Sequence, residues 1–166
     1  MKKLFLFLII PLLVNVSLAQ TQVQNFEQLM TALKAGKQVR AVIYYGKCKL
    51  FSDGVEQTES PNAIGGMSFE TYEYFDSSVF KGKVPSFLTT SQTILINHPK
   101  YGYVQNYVKI KVRTDNSIEI TARYLKPRKL SSKYKVVMDE TFKGKINDNQ
   151  KKGDFSENTL MGFQST

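Results

Sequence analysis

The chain reads as an α+β domain, mainly antiparallel β, with one N-terminal helix packed on a meander sheet or small open barrel. Three observations lead there. Asn25 to Ala35 carries a helical apolar period. After Gly36, apolar and polar residues alternate with a period of two, in segments separated by short polar turns. No second helical segment falls between those strands, which points away from βαβ units and toward antiparallel pairing.

The helix is justified residue by residue. Asn25 is a good N-cap, and Gln28 stands three residues on, in capping-box position. Phe26, Leu29, Met30 and Leu33 fall at i, i+3, i+4 and i+7, one apolar stripe. Gly36 suits the left-handed position that ends a helix.

The strands follow. Val39, Ala41, Ile43 and Tyr45 alternate with Arg40, Val42 and Tyr44, a half-buried strand ending near Gly46. Lys47 to Pro61 is polar and reads as loop. Met67 and Phe69 open a second strand after Gly65-Gly66. Phe87 to Asn97 is rich in Thr and Ile, hence β-prone. Tyr101 to Thr114 sets Val108, Ile110 and Val112 on one face and Lys109, Lys111 and Arg113 on the other. Ile118, Ile120, Ala122 and Tyr124 form the apolar face of the next strand. A two-residue Asp115-Asn116 loop would oppose Val112 to Glu119, and one residue of slip flips a whole face. A three-residue Asp115-Asn116-Ser117 loop instead pairs Val112 with Ile120, Ile110 with Ala122 and Val108 with Tyr124. It also sets Arg113 across from Glu119. Asn116 or Ser117 would then take the left-handed position. Lys126 to Ser132 is a basic connection, Tyr134, Val136 and Met138 begin another strand, and Phe142 to Ile146 continues it. Asn147 to Asp154 reads as a polar turn, and Phe155 to Phe163 as a last strand or tail.

Residues 1–19 have the layout of a secretory signal peptide. Met1-Lys2-Lys3 is basic, Leu4 to Val16 is almost wholly apolar, and Ser17-Leu18-Ala19 puts small residues before a cleavage point. The apolar run falls short of the roughly 20 residues of a membrane-spanning helix. The expected working chain is one domain, Gln20 to Thr166, exported to the periplasm or beyond, with no transmembrane segment after cleavage. A monomer is expected.

The formal charge of +9 falls to +7 without Lys2 and Lys3. A basic balance favours acidic partners, although it serves solubility as well. Export and the lack of a compact Lys/Arg block argue against nucleic acid. An unidentified protein or an anionic envelope component is the expected partner. The candidate binding residues are Lys109, Lys111 and Arg113 on one strand face, and Lys126, Arg128 and Lys129 in the basic connection. The alternative reading of both groups is a solvated sheet surface.

Nothing in the chain carries a catalytic signature. It lacks GxGxxG, a phosphate loop, HExxH, GxSxG and a CxxC pair, and it implies no cofactor or metal. His98, the one histidine, lies in the turn Asn97-His98-Pro99-Lys100 with no recognisable nucleophile. Cys48, the one cysteine, lies between Lys47 and Lys49, which would favour the thiolate; it reads as either a reactive thiol or a buried small residue. Asp53, Glu56 and Glu59 lack an EF-hand pattern and read as a solvated acidic loop. The aromatics, with 9 Tyr and 11 Phe, form a core or, alternatively, line a small barrel that carries an apolar ligand.

The order of local features resembles the VirK family of small exported bacterial proteins linked with virulence loci. The likeness rests on Phe26-Glu27-Gln28-Leu29-Met30-Thr31-Ala32-Leu33-Lys34-Ala35-Gly36-Lys37, the strand ending in Lys47-Cys48, Gly65-Gly66-Met67, and Tyr107 to Ser117. It spans about Phe26 to Ile146. The resemblance implies export and a virulence setting, no known reaction and no catalytic residue; the expected role is that of a non-enzymatic exported domain that binds a partner or envelope component. Members of the family carry a second Cys in a late strand; the corresponding stretch here, Tyr134 to Asp139, has none. If Cys48 is the residue that pairs with it, this chain has lost the bridge.

Overall fold

Among the described residues one α-helix, α1 (Phe26–Lys34), forms where both of its ends are locally satisfied. The Asn25 side chain accepts the Gln28 N–H at 2.9 Å, and the Gln28 side chain returns to accept the Gln24 N–H at 2.9 Å. At the other end Gly36, with φ of 71°, lets its own N–H reach Leu33 O and that of Lys37 reach Ala32 O. These two bonds are a Schellman closure, which absorbs carbonyls the helix cannot pair. Phe26, Leu29, Ala32 and Leu33 are buried, and Met30 is half-buried beside them.

The structure, a computed structural model, describes residues 21–128, 133–146 and 159–165. The expected signal peptide, Lys129, the Asn147–Asp154 turn and residues 155–158 of the expected last strand lie outside the described residues. Eleven strands are described: β1 (Thr21–Val23), β2 (Val39–Tyr44), β3 (Lys49–Ser52), β4 (Val55–Glu56), β5 (Ile64–Ser68), β6 (Glu73–Phe75), β7 (Phe87–His98), β8 (Gly102–Arg113), β9 (Ser117–Pro127), β10 (Tyr134–Ile146) and β11 (Thr159–Ser165). They join one open sheet in the order β5-β2-β11-β10-β9-β8-β7-β6. Strands β6 to β10 are a sequential antiparallel meander. The sheet does not close into a barrel.

The long meander has two distinct faces, as its alternation requires. Leu88, Ile110, Val112, Ile118, Ile120 and Phe142 point inward and join the helix stripe, Val39, Ala41, Ile43 and Met67 in one buried cluster. The opposite face carries Lys109, Lys111, Arg113, Glu119, Arg123 and Lys143.

Two expectations need correction. The β8–β9 turn is Thr114-Asp115-Asn116, so Val112 pairs with Ile118, Ile110 with Ile120 and Val108 with Ala122. This register lies two residues from the expected one. A shift of two preserves both faces, so alternation alone does not distinguish the two registers. Asn116 takes the left-handed position, with φ of 65°. Second, Lys47–Pro61 is not merely loop. Asp53 and Gly54 both have positive φ and turn β3 into β4, and β3 pairs with β10. An Asp-Gly pair between short apolar runs is a strong hairpin signal. The described part of the expected last strand, β11, runs parallel to β10 and lies between β10 and β2.

Candidate functional site

The outer face of the meander gathers most of the candidate charges, because cross-strand register lines them up in rows. Lys111 pairs with Glu119, which pairs with Lys143, which pairs with Lys49. One row along, Lys109, Thr121, Thr141 and Phe51 are neighbours. The next row sets Tyr107 beside Arg123 and Asp139. Lys109, Lys111 and Arg113 therefore do share one side of β8, as expected. Lys143 and Lys145 extend the cationic surface on β10. The sequence reading passed over both, although their alternation with Phe142 and Ile146 marks their face.

Much of this charge is already engaged. Arg113 donates to Glu119 at 2.8 Å across a diagonal of the sheet, and Arg123 donates to Asp139 at 2.9 Å. The Lys111 Nζ lies 4.7 Å from the centre of the Phe87 ring, and the Lys143 Nζ lies 4.2 Å from that of Phe51. Partial burial works against the charged form of Glu119. The hydrogen bond and charge of Arg113, with the charges of Lys111 and Lys143, outweigh it and hold the carboxyl below its usual range. Phe51, Asp53, Glu119, Arg123, Asp139 and Lys143 line an open basin of about 480 Å³ under the β3–β4 hairpin.

The second group of candidates sits elsewhere. Lys126 closes the far end of β9, on the other face, and donates to Tyr101 O at 3.1 Å. Arg128 is exposed just beyond it. About nine residues of strand separate this end from Arg113, roughly 30 Å at the rise of a β-strand. The two basic groups are not one site.

Cys48 is buried, and its thiol contacts Tyr44 O at 3.6 Å. Burial pushes the thiol up to about 11, the reverse of the lowering expected from its flanking lysines. Both lysines turn elsewhere. Lys49 pairs with Glu56 at 3.0 Å, and the Lys47 ammonium lies 5.6 Å from the Tyr44 ring centre. His98 packs against Tyr101 and Tyr124, each at 4.9 Å between ring centres. Its Nδ1 accepts the Lys100 N–H at 3.1 Å, a local turn bond.

The inner face holds a recess of about 180 Å³ between β5 and the β7–β8 pair, bordered by Ile43, Tyr45, Gly65, Met67, Ile94 and Val108. Ligand pockets usually span about 300–1,000 Å³, so this space is small for a carrier. Tyr45 borders it, with its ring tilted against Phe142 at 4.7 Å between centres. Among the described residues no group of three His, Cys, Asp or Glu side chains is placed to hold a metal ion, and no helix is long and apolar enough to cross a membrane.

Fold and surface together define a small α+β domain with helix α1, an open meander sheet and a cationic outer face. The family model for VirK protein matches residues 22–130, and the chain belongs to the VirK family. The structure is similar to the crystal structure of a VirK family protein from Legionella pneumophila. The TM-score is 0.58 and the identity 14%, over 86% of this chain and 97% of that one. At that identity the likeness is one of fold. No curated protein matches the sequence.

Proposed function

We propose that this VirK family domain is an exported, non-enzymatic binding protein that recognises an anionic partner or envelope component, in the setting of virulence. The observation that carries the reading is the outer face of β8 to β10. There Lys109, Lys111, Arg113, Arg123, Lys143 and Lys145 outnumber Glu119 and Asp139, so the paired charges leave a cationic surplus. Such a surplus steers acidic partners and discriminates against basic ones. The protonated, buried state of Cys48 and the packing of His98 against Tyr101 and Tyr124 favour binding over thiol chemistry. The apolar leader supports export.

The test is native mass spectrometry on the protein recovered from the envelope fraction of its own host, beside a Lys109→Glu/Lys111→Glu variant. The expected result is a chain lacking residues 1–19 with an acidic component retained, and loss of that component in the variant. A chain that keeps its leader in the cytoplasm overturns the reading, as does a component retained equally by the variant. A bound apolar small molecule would favour the carrier reading instead.

A further inference from the structure

The distal end of the meander, away from the β8–β9 turn, combines two properties that rarely meet on a soluble surface. The first is exposed apolar area. Leu95, Gln105, Leu125 and Val136 form one cross-strand row on the outer face. Leu95 is 68% exposed, Tyr103 68%, Val136 49% and Tyr134 47%. The Tyr134 hydroxyl accepts from Gln105 Nε2 at 3.1 Å, which holds its ring against this row. A bulge between Val136 and Met138 keeps Val136 on the outer face and returns Met138 to the inner one. From Ser91 to Asn97, β7 is exposed on both faces apart from Ile96, so this end projects beyond the buried cluster.

The second property is charge of one sign. The stretches 91–107 and 124–138 contain no Asp or Glu. Their described part supplies Lys100, Lys126, Arg128, Lys133 and Lys135, all exposed. Lys126 and Lys135 pair with each other on the opposite face of the same projecting end, one strand position from Leu125 and Val136.

We infer that the projecting end of β7 to β10 docks on an anionic lipid bilayer. The end inserts edge-first, so that the apolar row of one face enters the headgroup boundary while Lys126 and Lys135 of the other face, with Lys100, Arg128 and Lys133 near the turns, meet lipid phosphates. This deepens the proposed recognition of an anionic envelope component and rests on it. Charge complementarity selects the occupant. Juxtamembrane cations are drawn to an anionic leaflet within a Debye length of its surface. Tyrosine suits the interface because its ring is apolar and its hydroxyl wet. Long lysine side chains reach phosphate while their stems lie on apolar surface. Exposed Leu95 and Val136 decide between lipid and a soluble polyanion, since neither side chain offers anything to a phosphate or sulfate.

Vesicle flotation tests this with protein purified from its host. Binding is compared on phosphatidylcholine alone and on phosphatidylcholine with phosphatidylglycerol. The expected result is binding to the mixed vesicles only, weakened by salt. Leu95→Ser/Val136→Ser and Lys126→Glu/Lys135→Glu should each lower it about tenfold or more. These residues are exposed, and unchanged melting midpoints check that the variants stay folded. Failure to float with mixed vesicles overturns the inference, as does undiminished flotation of Leu95→Ser/Val136→Ser or equal binding to neutral vesicles. Heparin–agarose retention without flotation, sensitive to Lys126→Glu/Lys135→Glu alone, would also overturn it. That pattern would leave recognition of an anionic, non-lipid partner standing, so the two readings fail separately.

Discussion

Asn116 accepts, through Oδ1, a hydrogen bond from the backbone N–H of Phe26 at 2.8 Å, across 90 residues of chain. Phe26 is the first residue of α1, where N–H groups have no partner inside the helix. The same Asn116 accepts the Ile146 N–H on its backbone oxygen at 3.0 Å. One turn residue thus ties the helix start and the end of β10 to the β8–β9 hairpin. Its left-handed backbone makes this geometry available, and Asn tolerates that conformation better than most residues.

Replacing Asn116 separates these roles. Asn116→Gly keeps the backbone conformation and loses the side-chain acceptor, and should cost about 1 kcal/mol. Asn116→Ala loses the acceptor and strains the backbone, and should cost about 2–3 kcal/mol. Urea titration of both variants checks the order. Equal costs would mean that the backbone conformation contributes nothing measurable.

Cys48 should respond slowly to alkylating reagents in the native protein and quickly in denaturant, because its thiol is buried and protonated. Raised in the fold, the thiol favours the native state below its unfolded value of about 8.5. That contribution fades as pH climbs toward about 11. Stability should therefore fall over this alkaline window by up to about 2 kcal/mol, and less so in Cys48→Ala. Chemical denaturation at stepped pH, wild type minus variant, isolates the thiol from tyrosine ionisation.

Gly65 leaves room for Tyr45. A Cβ at position 65 would stand 2.9 Å from the Tyr45 ring and 3.1 Å from its hydroxyl. The ring also packs against Phe142, at 4.7 Å between centres, which limits its freedom to yield. Gly65→Ala should cost about 1–3 kcal/mol. The same change in a Tyr45→Ala background should cost less, and a double-mutant cycle measures the coupling.

The Arg113–Glu119 pair is partly buried, with side chains 24% and 26% exposed. Glu119→Gln should lower stability at neutral pH by about 1 kcal/mol or less. Because the carboxyl is held below its usual range, its contribution is present at neutral pH. It is lost as pH falls from about 4.3 downward. The acid limb of the stability profile should therefore be shallower in Glu119→Gln, as thermal melts between pH 7 and acid would record.

What the sequence determined by itself is local. Asn25, Gln28 and Gly36 mark the ends of α1 because caps act within one turn. Alternation assigned Ile110, Val112, Ile118 and Ile120 to one face and Lys109, Lys111 and Arg113 to the other, because side chains on a strand alternate whatever their partner. The Asp53-Gly54 turn was equally local and was passed over beneath its polar surroundings. Tertiary structure decided the rest. A two-residue shift of the β8–β9 register leaves every face unchanged, so the choice fell to Asn116 and its bonds to Phe26 and Ile146. The parallel placement of β11 between β2 and β10 joins segments far apart in the chain, which no local period records. Cys48 illustrates the same division in chemistry: its neighbours in sequence are lysines that favour a thiolate, while its neighbours in space exclude water and keep the proton on sulfur.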